Sequence, residues 1–357
     1  MDSVAAGPIY SWWSFQSFYL NRILQSHFMF LRFSSFFMVA WCRIGFFVMV
    51  VGIHHAVAAP SSPYDPELMP FTVKIRDEVN PYRVLGIYVM PSRTIELECV
   101  FTNPASSFTV SAPGGNLERH TKERWKWKAP NQKGLYPITI TDTTTNSTMM
   151  LNVFVMVPFA HNSEKLNGYR IGRYQEKPLK NNSVYKRPQG FVEVTQNNRN
   201  VLVSPHFTLG QFVGKQPSGY PKYLVLRERL ILKLEMILEA VNQEGIKAHT
   251  LHIMSGYRTP FYNHSIGNRT KYSRHLYGGA ADIFVDVDEN NQMDDINQDG
   301  KITMADAVVL ADVVKKKTRE TWYQPFLGGL GIYGPKPHRG PFVHVDVRGF
   351  KARWTNP

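Results

Sequence analysis

Residues 273–286, SRHLYGGAADIFVD, set His275 and Asp282 seven positions apart across small residues, and a second histidine, His344, stands much later in FVHVDVR (342–348). Two imidazoles and one carboxylate are the ligand set of a catalytic zinc, which takes three protein ligands and keeps a fourth position open. Gly278, Gly279, Ala280 and Ala281 permit the close backbone approach that such a turn needs. In FVHVDVR, read as a strand, Val343, Val345 and Val347 pack on one side, while Phe342, His344, Asp346 and Arg348 share the other. One face therefore offers an imidazole, a carboxylate and a guanidinium together.

The acidic residues that follow suit a different ion. Residues 295–306, DINQDGKITMAD, fit the spacing of a calcium loop. Asp295, Asn297 and Asp299 take positions one, three and five, and Gly300 makes the sharp turn. Lys301 offers its carbonyl, Ile302 supplies the apolar position and Asp306 stands twelfth. Aspartate in the last place is more similar to dockerin-type repeats than to EF-hands. Asp286, Asp288, Asn290 and Asp294 could ligate a second calcium. The competing reading is a solvated acidic loop that caps a helix, because Thr303 and Asp306 also form a capping-box pattern. Hard oxygen donors suit calcium, whereas His/Asp/His suits zinc.

Three motifs in order, SGYRTPFYN, SRHLYGGAADI and FVHVDVRG…RW, resemble the zinc peptidases of the D-alanyl-D-alanine carboxypeptidase and endopeptidase family, whose fold is shared with the hedgehog signalling domain. The resemblance covers about residues 200–357. It implies metal ligands at His275, Asp282 and His344, and an arginine at Arg258 that stabilises the developing oxyanion. It also implies peptidoglycan peptides as substrates. The chain departs from the family at Pro341, where many members carry a Glu or His base. Asp346 is the first substitute and His338 the second; Asp346 could equally orient His344 or pair with Arg348. Ser255 and Ser273 have no base assignment, and His206, His249, His252 and His264 lack supporting partners, so they are read as structural or groove residues.

The 357 residues carry a net charge of +13, with 43% hydrophobic and 19% charged side chains, which fits a globular protein of about two domains. Such a surface favours polyanions, an anionic wall or envelope polymer among them. No basic-aromatic repeat or arginine-rich helix points to nucleic acid. Residues 1–58 read as a signal peptide: Arg43 precedes the apolar run 44–53, and AVA at 56–58 favours cleavage after Ala58. Translation from Met29 or Met38 would shorten an unusually long start. The apolar run is short for a membrane span of about 20 residues, so an uncleaved anchor is the lesser reading and no stable span is expected after cleavage. The expected location is the periplasm or cell envelope. Cys42 falls in the leader, which leaves Cys99 without an internal disulfide partner.

The elements that must position these groups follow from pattern. Residues 59–69 read as a linker. Residues 70–158 hold short alternating runs, FTVKI, TIELECVF, SFTVSAP, ERWKWKAP, LYPITITD and MMLNVFVMVP, spaced as in a β-sandwich. Trp125 and Trp127 are read as alternate core and surface positions, and the stretch to Tyr136 resembles late strands of immunoglobulin-like modules. Residues 159–357 read as the α+β zinc domain, a small antiparallel sheet with packed helices and a calcium-loop insertion at 286–306. A helix is expected to begin in VSPHFTLGQF (203–212). Leu230, Leu234, Ile237, Leu238 and Val241 follow helical spacing up to Gly245 as a C-terminal stop. Strand HTLHIM, helix MADAVVLADVVKKK, a glycine-rich hairpin and strand PFVHVDVR complete the order.

Overall fold

The computed structural model describes residues 64–357. The leader at 1–58 and the first half of the linker lie outside them. Nine strands come first: β1 (Leu68–Ile75), β2 (Glu78–Tyr82), β3 (Val84–Val89), β4 (Thr94–Phe101), β5 (Phe108–Ser111), β6 (Asn116–Arg119), β7 (Arg124–Lys128), β8 (Gly134–Asp142) and β9 (Ser147–Val155). They form two sheets, β2-β1-β4-β7-β6 and β3-β9-β8-β5, whose inner residues share one core. The pattern left β2, β3 and β6 unassigned. β2 carries Pro81 and is an edge strand, where a missing N–H costs no ladder bond. β3 is buried along its whole length and runs parallel to β9, so it shows no alternation. Trp125 and Trp127 do not alternate between core and surface: both are buried, because positions two apart on β7 face the same way.

Small elements lead on from the sandwich. β10 (Val157–Pro158), β13 (Gly190–Val194) and β16 (Lys222–Leu224) make a three-stranded sheet; β11 (Lys165–Leu166) pairs with β12 (Tyr169–Arg170), and β14 (Leu202–Ser204) with β15 (Phe207–Thr208). The helix expected from 203–212 is therefore a hairpin followed by a single 3-10 turn, Leu209–Phe212. Gly210 lies so close to the Arg199 carbonyl that a Cβ would sit 2.8 Å from it, and Val213 returns to extended geometry.

Helix α1 (Glu228–Gln243) buries the expected apolar positions and stops at Gly245, which has a φ of +86°. It buries Lys233, Glu235 and Glu239 as well, because it is covered on both sides. Each of these polar side chains has a partner: Lys233 donates to the Phe326 and Asp346 carbonyls, Glu235 accepts from His206, and Glu239 accepts from Gln243. The short helix α2 (Pro260–Ser265) and helix α3 (Met304–Lys317) follow. The last sheet runs β17-β18-β20-β19-β21, formed by β17 (His252–Ser255), β18 (Ala280–Phe284), β19 (Gly329–Tyr333), β20 (Phe342–Asp346) and β21 (Ala352–Asn356). The chain is thus an α+β protein dominated by strands. Among the described residues, no helix is long and apolar enough to cross a membrane.

The start of α1 is tied to the sandwich. Arg76 pairs with Glu228 at 3.0 Å and Arg229 with Glu78 at 2.7 Å. Burial pushes the Glu78 carboxyl up from 4.5 to about 7, against the pull of Arg229. A carboxyl that binds its proton more tightly when folded contributes stability below its unfolded pKa and loses it as pH rises through the folded one. Stability is therefore expected to fall between about pH 4.5 and 7, by at most on the order of 3 kcal/mol from this group. Thermal melts across that range should show the decline in the native chain and a flatter profile in Glu78→Gln; parallel profiles would remove Glu78 as the source.

Candidate metal centre

The pairing of β18 with β20 sets Asp282 opposite His344. On the flanking strands Ser255 faces Asp282, Gly331 faces His344 and Trp354 faces Gly331, so the five residues form one row across the sheet. His275 comes from a 3-10 turn, Arg274–Tyr277, that ends in left-handed Gly278 (φ +65°). A Cβ there would lie 2.4 Å from the Val225 carbonyl, so only glycine lets the turn close against the chain before α1.

His275, Asp282 and His344 meet in the interior, each less than a tenth exposed. His275 Nε2 lies 3.2 Å from His344 Nδ1 and 3.3 Å from Asp282 Oδ1, and His344 Nδ1 lies 2.8 Å from Asp282 Oδ1. Metal bonds of about 2.0–2.1 Å at tetrahedral angles would separate ligand atoms by about 3.3 Å. The far ring edges fix the tautomers. His275 Nδ1 must donate to the Gly256 carbonyl at 2.7 Å, and His344 Nε2 faces the Asp346 carboxylate at 3.2 Å. Three lone-pair atoms therefore converge on one point, and the donor set fits a metal ion.

The charges around the site are settled by their neighbours. Burial opposes ionisation of Asp282, but His275, His344 and Arg258 outweigh it and hold its carboxyl well below the usual range. Burial lowers His275. For His344 burial acts in the same sense, and hydrogen bonds to Asp282 and Asp346 overcome it and raise the imidazole. Arg258 bonds the second Asp282 oxygen and anchors its Nε on Ser255 at 2.7 Å, so the guanidinium sits at the rim of the site.

Asp346 does not stand where a proton acceptor would. It is fully buried, and its Oδ1 accepts from Gly329 N at 2.9 Å and from Arg348 N at 3.0 Å. Its Oδ2 receives Arg348 and the outer edge of His344. The geometry gives it the orienting role and the salt bridge to Arg348 together. His338 is exposed on the turn at 336–339, where Lys336 and Arg339 bridge.

Sequence reasoning passed over Gly256, whose carbonyl fixes His275, and the glycines at 329 and 331. A Cβ at Gly329 would lie 2.4 Å from Asp346 Oδ2, and one at Gly331 2.3 Å from Trp354 Nε1. These bare positions let the Trp354 ring lie 5.2 Å from His344 while its Nε1 donates to Tyr333 Oη at 2.9 Å. The two glycines two apart at 329 and 331 of β19 were the available signal, since that spacing clears one sheet face.

The acidic insertion forms two successive turns with the same internal bonds. In the second, the Asp299 amide donates to Asp295 and Asn297, Gly300 N to Asp295, and Lys301 N to Asp299. Asp306 is buried and accepts from Thr303 N and Asn297 N, and Thr303 caps α3. The first turn repeats the scheme: Asn290 N donates to Asp286 and Asp288, Asn291 N to Asp286, and Gln292 N to Asn290. Asp286, Asp288 and Asp294 offer oxygens within 4.8 Å of one another, so among the described residues it is the loop with the weaker sequence pattern that gathers three carboxylates this tightly.

No known protein family matches the chain, and no curated protein does. Among solved structures, 27% of the chain is similar to 21% of an alpha-galactosidase of Bacteroides fragilis NCTC 9343, at 18% identity and a TM-score of 0.17. Likewise 24% of the chain is similar to 97% of the titin M3 domain, at 12% identity and a TM-score of 0.16. The chain spans about a fifth of the galactosidase, and likenesses this slight bear on neither fold nor function.

The two roles of Asp346 separate in Asp346→Asn. Loss of an orienting partner is expected to weaken metal affinity by about 10- to 100-fold, with metal-dependent behaviour restored by excess metal. Competition against a chelating dye measures the affinity; an unchanged value would return Asp346 to the list of bases.

Proposed function

We propose that the chain is an exported zinc-dependent peptidase of the D-alanyl-D-alanine carboxypeptidase and endopeptidase type, acting on peptidoglycan stem peptides or their cross-links. The observation that carries this reading is the convergence of His275, Asp282 and His344 beside Arg258. Zinc in that position supplies Lewis acidity toward a carbonyl and acidifies water. Arg258 offers charge to a developing oxyanion at the rim. Asp346 holds the His344 ring in the tautomer that presents Nδ1. With Asp346 committed, His338 is the remaining candidate proton acceptor.

The sandwich is read as an immunoglobulin-like spacer or wall-binding module, and the positive net charge suits an anionic envelope polymer. Calcium is assigned to the 286–306 insertion as a brace and not a catalyst. Its ligands are Asp295, Asn297, Asp299, Lys301 and Asp306, and the Asp286–Asp294 turn takes a second ion.

His275→Ala and His344→Ala are each expected to lose bound zinc and the release of muropeptide fragments, read by metal analysis and mass spectrometry. Cleavage that survives in either variant would sink the peptidase. The departure at Pro341 favours one rival, a metal-containing wall-binding protein without catalysis. Zinc-loaded protein that binds peptidoglycan and yields no new fragments, with or without chelator, selects that rival.

Calcium at about 100 times its dissociation constant should add about 2.7 kcal/mol of stability. The melt should shift upward with calcium in the native chain and stay still in an Asp286→Ala, Asp295→Ala double variant. A native melt indifferent to calcium removes the brace and leaves the zinc reading standing.

A further inference from the structure

A groove of about 520 Å³ runs between the chain after β11–β12 and helix α2. Four basic side chains line it, Arg170, Arg173, Arg269 and Lys271, with His264 beside them and Glu164 as the one carboxylate. All four cations are exposed. Among the described residues, Arg173 is the one of them paired with a carboxylate, and that partner is Glu164. Arg170 sits over Phe261, its guanidinium carbon 4.1 Å from the ring centre.

The groove meets the metal centre through the chain itself. Pro260 and Leu276 are in its wall. Leu276 follows His275 directly, so their Cα atoms are about 3.8 Å apart, and Pro260 is two residues past Arg258. The Phe261 amide donates to the Ile171 carbonyl at 3.0 Å, which fastens the wall carrying Arg170 to the helix after Arg258.

We propose that this groove is a binding site for an acidic peptide, one whose carboxylates lie away from the bond held at the metal; the proposal rests on the peptidase reading. Carboxylates match guanidinium forks in geometry as well as charge. The half-buried Pro260 and Phe261 between the cations add apolar surface that suits a peptide backbone and its methyl groups. A bare polyphosphate would leave that surface unused.

The test uses the full zinc-loaded chain. Binding is titrated with two acetylated, amidated hexapeptides, Ala-Glu-Ala-Glu-Ala-Ala and its Gln counterpart, and mass spectrometry verifies that each remains whole. The Glu peptide should bind about tenfold more tightly at low salt, and the preference should shrink in 0.5 M salt as charges are screened. Arg269→Gln combined with Lys271→Gln should erase the preference and leave binding of the Gln peptide unchanged. Equal binding of the two peptides, or a preference that persists in the double variant, overturns the proposal. So does displacement of the Glu peptide by inorganic polyphosphate of equal charge at lower concentration, which would assign the groove to phosphate. A preference found in a chain that cleaves no peptide would keep the groove and discard the peptidase.

Discussion

The register between β18 and β20 is the constraint on which the candidate metal centre depends. It places Asp282 against His344 and extends the row to Ser255 on one side and to Gly331 and Trp354 on the other. A slip of one residue would turn His344 to the opposite face, because side chains alternate along a strand. The three valines interleaved with the functional residues prevent it. Val343, Val345 and Val347 are almost completely buried, and a slip would set them among the polar groups of the site while driving His344 and Asp346 into the apolar side without their hydrogen-bond partners. The apolar half of FVHVDVR therefore sets the position of its polar half.

Behind that strand lies a set of buried charges that would be costly if any stood alone. Lys233 reaches from α1 to the carbonyls of Phe326 and Asp346, and burial pulls its ammonium down to about 7. Arg348 clasps the Asp346 side chain from the other direction. The same helix begins in ion pairs with the sandwich at Glu78 and Arg76. One rigid element thus joins the first sheets to the end of the metal strand, and the sandwich is bolted to the site along α1.

What was legible in the sequence was local chemistry with a clear period. The alternation at 342–348, the spacing of His275 and Asp282 and the helix ending at Gly245 all rest on neighbours in the chain. What was not legible depends on distant contacts. The 203–212 segment has apolar spacing compatible with a helix, yet Gly210 packs on Arg199 and the segment folds as a hairpin and turn. Asp346 lies on the functional face, as expected, but its role follows from Gly329 and Arg348, which pattern alone does not bring together. The Gly256 carbonyl carries no side-chain signal at all.

The acidic insertion shows how one substitution can hide a repeat. Its two turns share their hydrogen-bond scheme and their left-handed positions: Glu289 and Asn291 at φ 56° and 64°, Gln298 and Gly300 at 60° and 81°. Asparagine tolerates the left-handed region well enough to replace glycine, so the first turn keeps the geometry without the residue by which such loops are recognised. That turn is also the one joined to the metal sheet. Asp286 lies 3.2 Å from His252 on β17, and the His252 ring stacks 4.3 Å from Phe284 at the end of β18. Order in the Asp286 turn is therefore passed to the strand that carries Asp282, four residues upstream. The second turn, whose pattern is easier to read, is tied to α3 through Asp306 and Thr303 and bears on the helix instead.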